Sequence, residues 1–535
     1  MRIAIIGAGV AGLATAKVLT QAGHDVAVYE KAPDVGGVWS RTRRYPGLTT
    51  QSPKAQYSLS DFPMPKNYPE WPSGEQIQAY LAAYAARFGL EGALRLETEV
   101  VSAAPAADGG WTVVSRDSVP AGDRADTAAT EAFDRLVVAN GVFCEPAIPA
   151  FPGLEEFTAA GGAVLAGTEL HDAEQARGRH VLVVGYGKSA CDVTVPVSRV
   201  AASTDVIARQ LLWKVPRKIN GKLNFKMLLL TRMGEALFRY RVLRGVEKFL
   251  HGPGSGLRGK MINSIGTVSV RQFGLDKLGL VPAGQMEDIV RGAIGLATEG
   301  FFEGVAAGTI TVRRDRAIAR LFSGDGRPSA ELSDGSTLPA DLVICSTGFT
   351  QGVPFLPEAL QRRLFDERGN FLLYRQILPV AVPGLYFNGY NSSFFSPLNA
   401  EMAAVWIAAD LAGAVPLPGT AAIRQAVTDQ LAFMDDAVSG HHCRGTKIIP
   451  YSMHNVDEVL GDLGLNISPG VRASHWLNPI NPAAYRGVTP ALLKRLAATQ
   501  PTRTTAQHST AAVPAGLVPP PDRDPAETEA SHILS

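Results

Sequence analysis

The chain opens on a short apolar run, Ile3-Ala4-Ile5-Ile6, and a second, Val26-Ala27-Val28-Tyr29, follows a stretch of helical spacing from about Val10 to Ala22. Four or five apolar residues in a row are too few for a helix and predict strands buried on both faces of a parallel sheet. The pattern returns at His180–Val184 and Asp205–Ala208, and again at Phe133–Gly141, Ala340–Phe349 and Val382–Gly389. Helices are predicted from Ser73, a capping residue, to about Phe88, and from about Ala400 to Ala414. Strands alternating with helices predict an α/β fold with two doubly wound units.

Both strand-to-helix turns are rich in glycine. In Gly7-Ala8-Gly9-Val10-Ala11-Gly12, Gly7 and Gly9 suit a tight turn that lets the backbone approach a pyrophosphate, and Gly12 suits a helix packed close to its strand. Glu30 ends the second strand where an acid accepts hydrogen bonds from a ribose 2'-hydroxyl, and its charge repels a 2'-phosphate. FAD or NAD fits there and NADP does not. The second turn, Gly185-Tyr186-Gly187-Lys188-Ser189-Ala190, carries alanine as its third small residue, and the next strand ends on Arg209 where the first unit has Glu30. A guanidinium there favours NADP(H); the alternative is a solvated strand end.

The repeated aspartate-plus-apolar-strand pattern at Asp134 and Asp341 predicts that the second unit interrupts the first. The resulting fold class is α/β with two Rossmann-like dinucleotide-binding domains, the second, NADP(H)-type domain inserted into the first. Residues 1–150 and 339–499 form the first domain, 151–338 the inserted one, and 500–535 a disordered tail rich in Pro, Ala, Ser and Thr. The aromatic and Gly/Pro-rich stretch from Gly36 to Pro72 is a long loop of the kind that carries function.

The net charge of +1 does not call for a nucleic-acid partner. Within it, however, residues 209–260 hold 13 Lys or Arg against Glu235 and Glu247, a local charge of +11. The basic helical insert at about 218–290 is read either as a peripheral membrane or acyl-substrate contact, or as a solvated insert beside the NADP site. Cys144, Cys191, Cys345 and Cys443 are widely spaced, which predicts neither a disulfide framework nor a redox pair and fits a cytoplasmic protein. With the first strand beginning at Arg2 and no apolar run near the roughly 18 residues of a membrane span, neither a signal peptide nor a spanning helix is expected. No metal site is expected.

Together with the two fingerprints, Gly36-Gly37-Val38-Trp39, Tyr45-Pro46-Gly47, Ser52-Pro53-Lys54 to Pro63, Trp213-Lys214-Val215-Pro216-Arg217 and Ser346-Thr347-Gly348-Phe349 make the chain resemble the flavin-containing monooxygenases, the class B family that includes Baeyer-Villiger enzymes. The resemblance runs to about Arg495. It implies FAD held by Gly7, Gly9, Gly12, Glu30, Gly37 and Trp39, and NADPH held by Gly185, Gly187, Ser189 and Arg209, with Thr347 and Gly348 at the domain crossover counted among the cofactor residues. It also implies hydride transfer from NADPH to the flavin, then a C4a-hydroperoxyflavin formed with O2 that oxygenates a small organic substrate, while the protein supplies position and a dry site.

Several positions depart from the family pattern. Gln51 stands where the family has an asparagine that orients flavin and substrate, so the amide persists one methylene further out; its alternative role is to satisfy loop backbone. Thr49 stands where the Baeyer-Villiger branch has an arginine that stabilises a peroxyanion. The family's histidine before the second fingerprint has no counterpart in register: Ala166 falls opposite it, and His171 reads as a surface or packing residue. These departures favour N- or S-oxygenation over the Baeyer-Villiger alternative. The other classes weighed are a dehydrogenase passing electrons to a quinone, a flavin disulfide reductase, which lacks its cysteine pair here, and a flavin-bound sensor. Oligomeric state is not legible.

Overall fold

The computed structural model describes residues 1–535 except 108, 119–127, 291–294, 381, 392, 438–451 and 500–535. The tail and Cys443 therefore lie outside the described residues. The first unit forms as its pattern predicts: β1 (Arg2–Ile6), α1 (Val10–Gln21) and β2 (Asp25–Tyr29), with β1 and β2 parallel and Ile3 opposite Val26. Gly12 shows why the turn needs its third glycine. A β-carbon there would lie 1.8 Å from the Gly7 carbonyl oxygen, inside any allowed contact, so only glycine lets α1 leave the strand this closely.

The next elements are α2 (Gly74–Arg87), capped by Ser73 in a reciprocal capping box with Gln76, and the short β3 (Leu94–Arg95). An antiparallel layer of β4 (Thr98–Pro105), β5 (Trp111–Asp117) and β6 (Ala129–Phe133) follows, then β7 (Arg135–Val138). The apolar run expected as one strand over 133–141 is thus split at Asp134 between two sheets. β7 pairs in parallel with β1 and with Leu385–Phe387, giving a five-stranded sheet in the order Leu385–Phe387, β7, β1, β2, β3.

After β8 (Glu145–Pro146) and α3 (Leu154–Ala159), the second unit contains β9 (Ala163–Ala166), β10 (His180–Val184), α4 (Lys188–Val197) and β11 (Ser203–Ala208). Its parallel sheet runs Thr311–Arg314, β11, β10, Leu342–Cys345, β9. The last of these corrects the expected return to the first unit at residue 339. Leu342–Cys345 is buried on both faces between β9 and β10, and the chain leaves only at Phe349–Thr350, which pairs with β8. The recurring aspartates have one structural cause. Asp134 accepts the N–H of Arg2 at 2.6 Å and Asp341 that of His180 at 2.8 Å, so each satisfies the otherwise unpaired first N–H of its unit's leading strand.

The insert folds as short helices at Arg232–Ala236 and Val246–Leu250 and a long one at Ser255–Phe273. Much of its charge is paired internally. Arg232 is bidentate on Asp457 at 2.7 and 2.9 Å, Arg241 meets Glu458 at 3.2 Å, and Arg258 meets Glu287 at 2.6 Å. Asp457 and Glu458 belong to the helix Ser452–Asp462, so the insert is fastened to the C-terminal part of the chain.

The helix Ser396–Leu411 is buried along nearly its whole length against α1, which explains its apolar, alanine-rich face-to-face composition. Two polar locks sit inside this packing. Asn388 donates to Thr15 Oγ1 at 2.8 Å and to the Ala400 carbonyl at 3.0 Å, and Glu401 accepts from the Ser60 N–H at 2.6 Å and the Ser60 hydroxyl at 3.1 Å. The second lock ties the Gly36–Pro72 loop to the core. Burial pushes the Glu401 carboxyl up to about 7. Between about pH 4.5 and 7 the folded state therefore holds a proton that the unfolded state has released, so stability falls as pH rises, by about 3 kcal/mol, and levels off above that window. Glu401→Gln should flatten this part of the stability curve relative to wild type in denaturant titrations at pH 5 and 8. Parallel pH dependence in the two proteins would contradict the buried, protonated carboxyl.

Candidate functional site

A cavity of about 800 Å³ opens at the carboxyl ends of β1, β2 and β7. Its lining includes Gly7, Gly9, Glu30, Gly37, Trp39, Tyr57, Asn391 and Ser396. Two glycine turns face one another across its floor: a β-carbon on Gly9 would lie 3.6 Å from the Gly37 Cα, and one on Gly37, where φ is +60°, would lie 3.2 Å from the Gly9 Cα. Side chains at either place would fill the cradle where an extended diphosphate needs backbone approach. Glu30 is held by two backbone donors, Ala8 N–H at 2.8 Å and Ala32 N–H at 2.9 Å. A carboxylate has about four acceptor positions, so it keeps capacity for a ribose hydroxyl. Trp39 Nε1 donates to the Tyr57 hydroxyl at 3.1 Å with the rings edge to face, which fixes both side chains in the wall. The N-terminal turn of the helix Ser396–Leu411 also reaches the wall and presents its positive dipole end. Glycine floor, carboxylate and helix end fit FAD.

The two cations that line this cavity, Lys31 and Arg43, are both engaged by the segment Phe143-Cys144-Glu145. Arg43 donates to the carbonyls of Phe143 and Cys144, and Lys31 pairs with Glu145 at 3.4 Å. Thr347 and Gly348 do not line the cavity. Both are exposed on the crossover, where the Thr347 hydroxyl donates to the Ala147 carbonyl and the Gly348 carbonyl accepts from Ala147 N–H at 3.0 Å. The residues just beyond them, Thr350 to Phe355, do line it. The small-residue turn at Thr347 and Gly348 thus falls two residues short of the lining, since the strand before it, Leu342–Cys345, belongs to the second unit's sheet.

In the second unit, a β-carbon on Gly185 (φ +121°) would lie 2.6 Å from the Ser346 carbonyl oxygen, whereas one on Gly187 meets open space. Position 190 carries a real, fully buried β-carbon, so α4 leaves its strand with room for alanine as the third small residue. Ser189 Oγ is 2.9 Å from the Tyr45 hydroxyl of the first unit. Arg209 is exposed immediately after the carboxyl end of β11, the chain position from which a fold of this kind offers an arginine to a 2'-phosphate. The open turn, the helix N-terminus of α4 and Arg209 fit NADPH.

Four residues that the sequence pattern does not single out, Lys188, Asp192, Lys214 and Thr298, also belong to this region. Asp192, buried on α4, pairs with Lys188 and accepts from Thr298 Oγ1 at 2.5 Å, and Lys214 donates to the Tyr186 carbonyl at 2.7 Å. Burial holds the Lys188 ammonium below its ordinary range. The loop Tyr45-Pro46-Gly47 presses on the same helix, since a β-carbon on Gly47 (φ +83°) would lie 2.7 Å from the Asp192 carbonyl. The i,i+4 spacing of Lys188 and Asp192 was the available signal.

Thr49 and Gln51 sit where the two units meet and do not line the large cavity. Gln51 Oε1 accepts from Leu296 N–H at 3.2 Å, leaving its amide nitrogen as a donor. Thr49 Oγ1 accepts from Arg217 Nη2 at 2.7 Å. Arg217 lies over the Trp71 ring at 5.2 Å and has Glu299 at 3.7 Å. A cation therefore does stand beside Thr49, delivered from the second unit rather than from the position itself. His171 is exposed and its backbone N–H donates to Gln175, as a surface residue would.

A sequence model of the flavin-binding monooxygenase-like family matches residues 1–250. The indole-3-pyruvate monooxygenase YUCCA1 of Oryza sativa subsp. japonica is 30% identical over 351 residues, covering 65% of this chain and 77% of that protein. Among solved structures, S-allyl-L-cysteine S-oxygenase from Allium sativum matches with a TM-score of 0.59 at 20% identity over 93% of this chain and 97% of that one. Cyclohexanone monooxygenase from Rhodococcus sp. Phi1 bound to NADP+ matches with a TM-score of 0.61 at 18% identity over 89% and 98%. At such identities the two structures establish a shared fold.

Replacing Arg209 by alanine should weaken NADPH by about ten- to hundredfold, the value of a lost charge-assisted contact of roughly 1.5–3 kcal/mol, and leave NADH nearly unchanged. Binding titrations with both nucleotides check this. Equal losses for the two would contradict a phosphate contact.

Proposed function

We infer that this chain, which belongs to the flavin-containing monooxygenase family, oxygenates soft nitrogen or sulfur centres in preference to ketone carbonyls. Membership makes it an FAD-dependent oxidoreductase that spends NADPH and O2 on a small organic substrate. When bound, the flavin supplies hydride acceptance and oxygen activation.

The chain's own residues do the rest. Gly7, Gly9, Gly12 and Gly37 leave the backbone free to hold the diphosphate of FAD, Glu30 takes its ribose, and Trp39 with Tyr57 walls the cavity against water. Gly185, Gly187, Ser189 and Arg209 orient NADPH. Gln51 directs an amide donor into the junction between the units, and Thr347 with Gly348 anchors the crossover that sets their spacing. The observation carrying the preference is that Trp39, Tyr57, Asn391 and Ser396 in the cavity wall are neutral while its two cations are already engaged, Lys31 by Glu145 and Arg43 by the Phe143 and Cys144 carbonyls. Oxygen transfer to an amine or thioether needs no cation there, whereas ester formation from a ketone proceeds through an anion whose stabilisation is typically worth about 3–4 kcal/mol.

One observation favours the Baeyer-Villiger alternative: Arg217 stands 2.7 Å from Thr49. Its charge is shared with Glu299 and the face of Trp71, which ranks this reading second. Amines, thioethers and ketones supplied under 18O2 separate the two by mass spectrometry. Labelled N-oxide or sulfoxide is expected; labelled ester or lactone without them, abolished in Arg217→Met, would move the protein to the Baeyer-Villiger branch.

No helix among the described residues is long and apolar enough to cross a membrane. We propose a peripheral contact with anionic membrane instead, through exposed Leu223, Met227, Leu228, Phe249 and Leu257 on the insert beside exposed Lys222, Lys248 and Lys260. Sedimentation with anionic vesicles, reversed by salt, is expected; equal absence from anionic and neutral vesicles would contradict it. The free thiols of Cys144, Cys191 and Cys345 support a cytoplasmic setting.

A further inference from the structure

A second, smaller cavity of about 40 Å³ lies between the insert and the first unit. Its wall is made chiefly by Leu230, Phe238, Ile262, Ile265, Met286 and Phe395. Two of the polar residues that reach it are spent elsewhere. Thr231 Oγ1 accepts from Gly234 N–H at 2.9 Å. Glu235 accepts from Met453 N–H at 3.0 Å, from His454 N–H at 3.1 Å and from His454 Nδ1 at 2.6 Å, and the far side of that imidazole meets Glu247 at 2.7 Å. This leaves Ser452, a single hydroxyl, where a buried water wants two to four partners. Such a cavity stays dry.

Its size narrows the occupant. One water needs about 10–15 Å³ of such space and a cavity of about 150 Å³ takes benzene, so the space suits two or three heavy atoms without polarity. Its position narrows it further. Phe395 adjoins Ser396, which lines the 800 Å³ cavity, and Phe394, another residue of the small cavity's wall, takes the Ser52 hydroxyl on its carbonyl at 2.6 Å. On the opposite side, Val215 belongs to the strand paired with Leu296, whose N–H binds Gln51. The small cavity is thus one side-chain layer behind the junction where the two units meet.

We propose that this cavity is a binding site for dioxygen, a dry reservoir beside the place where it is consumed. The identity of the gas rests on the monooxygenase reading; the cavity's affinity for a small apolar molecule does not. The other source of the same chemistry is the short alkyl end of an organic substrate.

Xenon is the probe. In the FAD-loaded enzyme, 129Xe NMR should show saturable binding that Ile265→Phe removes and the volume-conserving Leu230→Met retains. Stopped-flow reoxidation of the NADPH-reduced enzyme should show the O2 rate constant falling about tenfold in Ile265→Phe, within the range over which association rates move among variants of one site. The rate of flavin reduction should be unchanged. Xenon pressure on the wild-type protein should slow reoxidation in the same way, a test that needs no variant to fold. Absence of xenon binding to wild type would overturn the proposal, as would an O2 rate constant indifferent to both xenon and Ile265→Phe. A rise in substrate KM in place of the slower reoxidation would assign the cavity to the substrate's alkyl end. Wild-type enzyme that binds xenon yet shows no NADPH- and O2-dependent oxygenation would instead sink the monooxygenase reading.

Discussion

The large cavity exists because α1 leaves β1 with no room for a β-carbon at residue 12, which would stand 1.8 Å from the Gly7 carbonyl. That single close approach sets the helix's N-terminus at the sheet's carboxyl edge and holds Gly9 opposite Gly37 across the floor. Everything else in the first unit accommodates it. The helix Ser396–Leu411 packs on α1, and its own first turn then arrives at the same wall. Glu401, on that helix, ties down the loop that brings Gly37, Trp39 and Tyr57. Packing and binding are here one arrangement, since removing a methyl group at residue 12 both seats the helix and shapes the site.

The two units are joined by charge and backbone contact more than by motif. Gly47 presses on Asp192, Tyr45 reaches Ser189, and Arg217 crosses to Thr49. The basic insert belongs to the same logic. A run with a charge of +11 looks like an electrostatic surface in one dimension, yet Arg232 and Arg241 pair with Asp457 and Glu458, more than two hundred residues on, and Arg258 pairs with Glu287. The remainder, with exposed Leu223, Met227, Leu228 and Phe249 among it, faces solvent.

Legibility followed the range of the interactions. The strand, glycine and helix pattern of each unit was readable because its causes are local: a turn's conformation, a helix's close packing, an apolar strand buried on both faces. The aspartates at 134 and 341 were readable as a repeat, but not their purpose, since hydrogen-bonding the first N–H of β1 or β10 is a contact across more than a hundred residues. The same limit explains why Leu342–Cys345 was placed in the wrong sheet and why the cation at Thr49 was invisible. Thr49 and Arg217 are 168 residues apart, and only the fold brings the guanidinium to the position where sequence alone shows a neutral hydroxyl.

The central claim is that one chain holds two different dinucleotides and passes a hydride between them. Its most direct test is anaerobic mixing of the purified, FAD-loaded protein with NADPH while following the flavin's visible absorbance. Stoichiometric bleaching by one equivalent of NADPH is expected, with much slower bleaching by NADH and return of the colour on admitting O2. A protein that fails to hold FAD, or whose bound flavin keeps its colour under excess NADPH, would contradict it.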